Sequence, residues 1–170
     1  MNGAISEALL FLVKTAFDLY LVAVTLRFLL QLFRADFYNP VSQFLVKITN
    51  PPLKGLRRII PGFGGTDWSS LVFMLILKAV QIVLLALIAT GRIPALHGLL
   101  VLSVAQLLNL VIYIFIIAIL IQVVLSWVNP GAYNPATVIL HYLTEPLLRP
   151  ARQLIPPVGG IDLSPIAVFI

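Results

Sequence analysis

Three long, nearly uninterrupted apolar runs limit the fold of this chain more than any other feature. They cover about residues 5–33, 68–90 and 99–128. A helix of about 20 residues crosses the hydrocarbon core of a bilayer, and a spanning backbone must satisfy its hydrogen bonds within a helix or a closed barrel. Because the runs are continuous rather than alternating, we predict membrane-spanning helices.

The composition agrees with a membrane protein. The chain is 61% hydrophobic and 10% charged, whereas a soluble domain is about 45–50% apolar and about 25% charged. The sequence contains no cysteine, which excludes disulfides, thiol catalysis and cysteine-based metal sites. The N-terminal run lacks a basic region before it and extends to Phe33, so we interpret it as a retained anchor rather than a signal peptide.

A polar, proline-rich segment follows the first run and occurs a second time after the third. YNPVSQFLVKITNPPLKGLRRIIPGFGGTDWS, from Tyr38 to Ser69, matches YNPATVILHYLTEPLLRPARQLIPPVGGIDLS, from Tyr133 to Ser164, without a gap at an offset of 133 − 38 = 95 residues. Each repeat then consists of a span, the segment and a second span, and two crossings per repeat give both copies the same orientation. We therefore predict an all-α membrane protein with two parallel repeats.

The predicted boundaries place repeat 1 at residues 1–95 and repeat 2 at residues 96–170. Repeat 2 ends in an apolar stretch that begins at about residue 163 and is too short to span a membrane. Its counterpart in repeat 1 continues for about 20 residues more. We expect the natural chain to extend beyond Ile170.

The spacing inside the repeated segments predicts a pair of short interfacial helices in each, within about residues 40–60 and 135–155. Asn39-Pro40 and Asn134-Pro135 are helix-start signals, and internal prolines are expected to divide each segment. Apolar residues at i, i+3, i+4 and i+7 would face the lipid and basic residues the headgroups. The predicted headgroup or partner contacts are Lys47, Lys54, Arg57, Arg58, Arg149 and Arg152.

The distribution of positive charge predicts the orientation. The basic residues concentrate in the two segments, whereas the loop GRIPALHG contributes only Arg92. By the positive-inside rule the segments are cytoplasmic and the N-terminus lies outside. Anionic lipids of the cytoplasmic leaflet are the expected partners. No aromatic stacking platform accompanies the basic residues, so we predict no nucleic-acid partner.

Ionisable residues also occur within the spans. Lys14 and Asp18 are four residues apart on one face of the first span, and Lys78 lies in the second. Such groups are costly in a membrane and usually pair, so we predict a Lys14–Asp18–Lys78 cluster that joins the two spans. Arg27 lies nearer the interface, and we expect its side chain to snorkel there.

The third span has an uncharged polar stripe at corresponding positions, with Gln106, Asn109 and Tyr113 at i, i+3 and i+7. The cluster and the stripe could hold helices together or line an ion pathway, and we favour the structural role. Asp67 and Asp162 could bind a cation together or cap their helices, and we favour capping.

The motifs YNP…PPL..LRR.IP..GG.D.S and YNP…EPLL.P.R.LIP..GG.D.S resemble the YggT family of small bacterial membrane proteins, which has chloroplast relatives. The resemblance implies an inner-membrane protein. Bacterial members are associated with osmotic stress or lie near cell-division genes, and chloroplast relatives are linked to cytochrome biogenesis and to nucleoid and membrane organisation. The resemblance brings no catalytic residue with it.

Two functional hypotheses follow. The first is a non-enzymatic inner-membrane scaffold or assembly factor that binds the cytoplasmic leaflet, contacts other integral membrane proteins and forms a homo-oligomer. The alternative is a small ion channel or transporter accessory that responds to osmotic stress. We predict no catalytic residue, no cofactor and no metal site.

Overall fold

The computed structural model describes residues 3–128, 133–154 and 164–169, and these residues are almost entirely helical. Within the described residues the helices are α1 (Gly3–Leu32), α2 (Pro40–Ile59), α3 (Trp68–Thr90), α4 (Leu96–Val128), α5 (Pro135–Leu154) and α6 (Ser164–Phe169). The β-type pairing in this part of the chain is one isolated bridge between Phe63 and Thr66. The all-helical prediction is confirmed.

Three of these helices are long and apolar enough to cross a membrane: α1, α3 and residues 96–126 of α4. Their bounds agree with the predicted runs to within a few residues. The short apolar stretch predicted from about residue 163 contains α6, of six residues.

Side chains and backbone geometry set the helix ends as the sequence indicates. The Asn39 side chain accepts a hydrogen bond from the Val41 backbone N–H at 2.9 Å, and Pro40 is the first residue of α2. The Asp67 side chain caps α3 by accepting from the Ser70 backbone N–H. At the other end of α3, Gly91 adopts a left-handed conformation (φ 67°), which glycine takes without steric cost. The predicted cap at Asp162 lies outside the described residues.

The prediction of two short helices in each repeated segment is wrong. One helix of 20 residues runs through Pro51 and Pro52 in α2, and one of 20 residues runs through Pro146 and Pro150 in α5. A proline at position 52 cannot donate to the carbonyl of Ile48. The Tyr20 hydroxyl of α1 lies 3.4 Å from that carbonyl and donates to it. A tertiary contact thus replaces a bond that the proline removes.

The packing of α1 against α3 forms one part of the core. Leu21, Val24 and Met74 are buried together, and the Thr25 hydroxyl of α1 donates to the Met74 sulfur at 3.2 Å. The rings of Tyr20 and Phe73 meet edge to face at 6.3 Å. These contacts fix α1 beside α3 and bring their polar residues together.

The apolar faces of α2 and α5 pack on the spans. Leu45 of α2 and Ile139 and Leu143 of α5 join residues of α1 and α4 in a second core cluster. Leu53 is fully buried as well. We had expected these faces to be buried in lipid, but other helices of the same chain cover much of them. Phe44 and Ile59, which are 60% and 78% exposed, are apolar α2 side chains that this core leaves uncovered.

Candidate functional site

A polar cavity lies where α1, α2 and the start of α3 meet. Its volume is about 560 Å³. The lining residues are Arg27, Gln31, Phe37, Val46, Asn50, Arg57, Pro61, Gly62 and Asp67. The lining therefore combines two guanidinium groups and one carboxylate with an apolar wall. The cavity is close to the C-terminal end of α1 and the N-terminal end of α3, where spanning helices meet the polar region.

Arg27 is buried at this cavity rather than extended toward water, so the expected snorkelling is wrong. Its side chain is 4% exposed. The Nη1 group donates to Thr49 Oγ1 at 2.7 Å and Nη2 donates to Asn50 Oδ1 at 2.9 Å. The Thr49 hydroxyl and the Asn50 amide of α2 therefore accept the hydrogen bonds that water at the headgroups would accept from a snorkelling arginine. Asn50, which directly precedes Pro51, lies inside α2 and binds Arg27.

Arg57 and Asp67 form an ion pair across the cavity wall between α2 and the start of α3. The Asp67 carboxylate is 4% exposed and also accepts from the Ser70 hydroxyl at 2.8 Å. Burial raises the pKa of this carboxyl, but the hydrogen bonds from Arg57 and Ser70 and the positive charge of Arg57 outweigh burial. The net pKa lies below the ordinary value of 3.8.

A second polar centre joins α1 and α3 deeper in the bundle. Lys78 Nζ lies 3.5 Å from Asp18 Oδ1. Gln81 connects the two residues, because its Oε1 accepts from Lys78 at 2.7 Å and its Nε2 donates to Asp18 at 2.8 Å. Nε2 is also 3.2 Å from the Lys14 backbone carbonyl. We refer to Asp18, Lys78 and Gln81 as the polar cluster.

Gln81, rather than the predicted side chain of Lys14, completes the polar cluster. Gln81 is 2% exposed and lies three residues after Lys78, on the same helical face, which was the available signal. Lys14 is exposed and lines a groove of about 320 Å³ beside Asp18. Its backbone, rather than its ammonium group, contacts the polar cluster.

The polar stripe of the third span lies apart from this centre. Gln106, Asn109 and Tyr113 are exposed on α4. In the described part of the chain no hydrogen bond links these three side chains to the polar cluster. They leave α4 with an uncovered polar face along a helix that is otherwise apolar.

The predicted contact residues on α2 and α5 fall into two groups. Lys47, Lys54, Arg58 and Arg149 are exposed, and we refer to these four as the basic face. Arg57 and Arg152 are half-buried and pair with Asp67 and Glu145, with 2.7 Å between Arg152 Nη1 and Glu145 Oε2. The basic face is therefore the part of the predicted set that is directed outward from both helices.

The two helices that carry the basic face touch each other. Asn39 Nδ2 donates to the Pro135 backbone carbonyl at 2.8 Å, joining the first turn of α2 to the first turn of α5. The Asn39 side chain is 7% exposed. It therefore caps its own helix and binds the other with the two ends of one amide group.

Equivalent contacts recur at the offset of 95 residues. In the first copy the Thr49 hydroxyl donates to the Leu45 carbonyl and accepts from Arg27. In the second copy the Thr144 hydroxyl is 2.9 Å from the Leu140 carbonyl and donates to Gln122 Oε1, so the threonine is the donor to the span here and the acceptor in the first copy. Leu53 and Leu148, also 95 apart, are both at most 1% exposed. Each copy thus holds its 20-residue helix on the preceding span through the same positions.

The sequence profile of the family described as CCB3/YggT matches residues 6–88 and again residues 101–170. The chain belongs to the CCB3/YggT family. The two matches begin 101 − 6 = 95 residues apart. This confirms the resemblance that the doubled motif suggested.

Curated members of the CCB3/YggT family resemble the chain over most of its length. An uncharacterized protein of Pseudomonas aeruginosa is 47% identical over 98% of this chain and 85% of its own length. The uncharacterized protein YggT of Escherichia coli strain K12 is 40% identical over 96% of this chain and 85% of its own length.

A shorter similarity reaches a chloroplast-type relative. The uncharacterized protein ycf19 of Guillardia theta is 41% identical over 34% of this chain and 64% of its own length. No solved structure matches the chain. The family membership and the apolar helices together make this a membrane protein of the CCB3/YggT family.

Proposed function

We propose that the protein is a non-enzymatic scaffold or assembly factor of the bacterial inner membrane. The observation that carries this proposal is the contact between α2 and α5, which gathers the exposed Lys47, Lys54, Arg58 and Arg149 on one unit. A fixed basic surface beside three apolar helices suits a protein that binds anionic headgroups and other integral membrane proteins.

Two parallel repeats account for this arrangement. The gapless sequence offset, the two family matches that begin 95 residues apart and the paired Thr49 and Thr144 contacts all support it. If both repeats have the same orientation, α2 and α5 lie at the same membrane surface. Their contact supports that placement. The positive-inside rule then makes the surface cytoplasmic.

The basic face supplies the contact with lipids and partners. Each basic side chain close to an anionic leaflet contributes about 1 kcal/mol, so four of them hold the α2–α5 unit at the headgroups. Exposed aromatic side chains at the same end, Tyr38 and Tyr133 at 88% and 90% exposure, suit the headgroup region. The remaining exposed surface of the unit is available to a partner protein or to a second copy, and a link to osmotic stress or cell division is part of this proposal.

Charge reversal on the basic face tests the scaffold. The variant with Lys47, Lys54, Arg58 and Arg149 changed to Glu is expected to lose the membrane proteins that crosslink to the wild type in native membranes. The matched control is Arg92→Glu, which reverses an exposed charge in the other loop and is expected to retain them. Equal crosslinking of both variants, or the absence of any specific crosslinked protein, would contradict the proposal.

The alternative is a small channel or transporter accessory. The observation that favours it is the polar cluster itself, in which the buried Lys78 pairs with the half-exposed Asp18 within two candidate spans. Ion flux from liposomes that contain the purified protein, changed by Asp18→Asn, would support the alternative. The scaffold proposal predicts no flux above that of protein-free liposomes.

A further inference from the structure

We propose that the polar cavity between α1, α2 and α3 binds a phosphodiester monoanion, the group at the centre of a phospholipid headgroup. This extends the proposed lipid contact from the exposed basic face to an internal site. It stands on different residues from those of the basic face, so it can hold or fail independently of the scaffold proposal.

The first observation is that Arg27 has hydrogen-bond donors without an acceptor. A guanidinium group has five N–H donors in a planar fork, and the structure supplies acceptors for two of them, from Thr49 and Asn50. The Nε atom is buried and has no hydrogen-bond partner among the described residues. A buried, unpaired N–H group costs about 1–3 kcal/mol. Because Arg27 lines the cavity and Thr49 and Asn50 each use one N–H of its terminal nitrogens, the remaining N–H groups of Nη1 and Nη2 are the donors that an acceptor in the cavity would use.

The second observation is the charge of the cavity lining. Arg27 and Arg57 contribute two positive charges and Asp67 contributes one negative charge, which leaves a net +1. A phosphodiester carries one negative charge and neutralises this lining. A phosphate dianion would leave an excess negative charge beside the buried Asp67 carboxylate. Guanidinium groups also match phosphate oxygens in geometry, with parallel N–H···O bonds.

The third observation is the shape and position of the cavity. Its volume of about 560 Å³ exceeds the space that a phosphate group needs, and it is within the usual range for ligand sites of about 300–1,000 Å³. Phe37, Val46 and Pro61 form apolar parts of the wall. The cavity lies between the end of α1 and the beginning of α3, where a headgroup phosphate would meet a spanning protein.

A binding measurement on the full chain in phosphate-free maltoside detergent tests the site. Native mass spectrometry is used to titrate the protein with phosphatidylglycerol, with diacylglycerol of the same acyl chains as the uncharged control. Saturable binding of one phosphatidylglycerol is expected. Arg57→Gln removes one positive charge from the lining and is expected to weaken binding about tenfold, whereas the control Arg92→Gln changes an exposed arginine in the loop before α4 and is expected to bind as the wild type does.

A second variant changes affinity in the opposite direction. Asp67→Asn keeps an oxygen that can accept from the Ser70 N–H and removes the negative charge, so tighter phosphatidylglycerol binding is expected. If Arg57→Gln does not fold, this variant decides the question. Unchanged or weaker binding by Asp67→Asn, equal affinities of Arg57→Gln and Arg92→Gln, or equal binding of diacylglycerol would overturn the proposal.

A separate titration with inorganic phosphate distinguishes the source of the group. If phosphatidylglycerol binds and inorganic phosphate does not compete with it, a lipid occupies the site. If inorganic phosphate binds with the same dependence on Arg57 and Asp67, the ligand of the site is a phosphate group from solution rather than a lipid.

Discussion

Arg27 of α1 donates a hydrogen bond of 2.7 Å to Thr49 of α2, and at the matching positions 95 residues later Thr144 of α5 donates to the Gln122 side chain of α4. The threonine is fully buried in both copies. The partner is a charged guanidinium in the first copy and a neutral amide in the second. The same position therefore attaches each 20-residue helix to its span with a different strength.

This difference predicts unequal effects of one substitution. Thr49→Val removes an acceptor from a buried charge and should cost about 1.5–3 kcal/mol, whereas Thr144→Val removes a neutral partner and should cost about 0.5–1.5 kcal/mol. The free energy of unfolding in detergent, measured by steric trapping, provides the comparison. A larger loss for Thr144→Val than for Thr49→Val would contradict the assignment of Arg27 as the charged partner.

Gln81 is predicted to hold the polar cluster together. Gln81→Leu removes the bonds to Lys78, Asp18 and the Lys14 carbonyl. Hydrogen bonds between membrane helices average about 0.6 kcal/mol and reach about 1.7 kcal/mol, so we expect a loss of about 1–2 kcal/mol in the free energy of unfolding.

The matched control is Gln106→Leu, because Gln106 is exposed on α4. It should leave the free energy of unfolding within about 0.5 kcal/mol of the wild type. Equal effects of the two substitutions would show that Gln81 has no special role between α1 and α3.

Asn39 and Asn134 occupy equivalent positions but should respond differently to replacement by Asp. Asn39→Asp keeps the oxygen that caps α2 and loses the N–H₂ group that donates to the Pro135 carbonyl. Asn134 is exposed and accepts from the backbone of Ala136 and Thr137, so Asn134→Asp should be nearly neutral.

The expected effect of Asn39→Asp is a loss of about 1 kcal/mol. Because the α2–α5 contact should loosen, double electron–electron resonance between spin labels on α2 and α5 should show a broader distance distribution. An unchanged distribution would indicate that the bond from Asn39 to Pro135 does not hold the helices together.

Protonation of the Asp67 carboxylate is predicted to lower the stability of the protein in acid. Its pKa is lower in the folded protein than the ordinary value of 3.8, so the unfolded chain binds a proton first as the pH falls. The stabilisation is complete above pH 3.8 and is lost as the pH drops through the folded-state pKa.

Asp67→Asn removes this titration. The difference in thermal midpoint between wild type and Asp67→Asn should be constant near neutral pH and shrink below about pH 4. Asp36→Asn, at an exposed carboxylate, serves as the control and should retain the acid-dependent loss. If the thermal midpoint of the wild type rises further above that of Asp67→Asn as the pH falls, the prediction is contradicted.

Hydrophobic pattern was sufficient to predict the helices but not their partners. The apolar runs predicted α1, α3 and α4 because continuous apolar sequence has few alternatives in a bilayer. Pro51 and Pro52 were interpreted as a break because local propensity favours one. The Tyr20 hydroxyl on another helix donates to the Ile48 carbonyl, which Pro52 leaves without its helical donor. The local sequence around the prolines does not indicate that contact.

The polar residues show the same limit. The depths of Asp18 and Lys78 along their spans indicated that the two side chains could meet. In the structure Lys78 Nζ lies 3.5 Å from Asp18 Oδ1. Depth in a membrane also suggested that Arg27 would reach the interface, but depth does not reveal an acceptor such as Thr49 on a neighbouring helix. The direction of a long side chain depends on tertiary packing, and tertiary packing cannot be read directly from a single sequence.

Single-cysteine labelling tests the central claim most directly, since residues 1–170 contain no cysteine. In intact cells, a membrane-impermeant maleimide should fail to label Lys54→Cys on α2 and Arg149→Cys on α5, and it should label His97→Cys near the start of α4. After the cells are opened, both helix positions should react. Labelling of either α2 or α5 from outside intact cells would contradict the placement of both helices at the cytoplasmic surface.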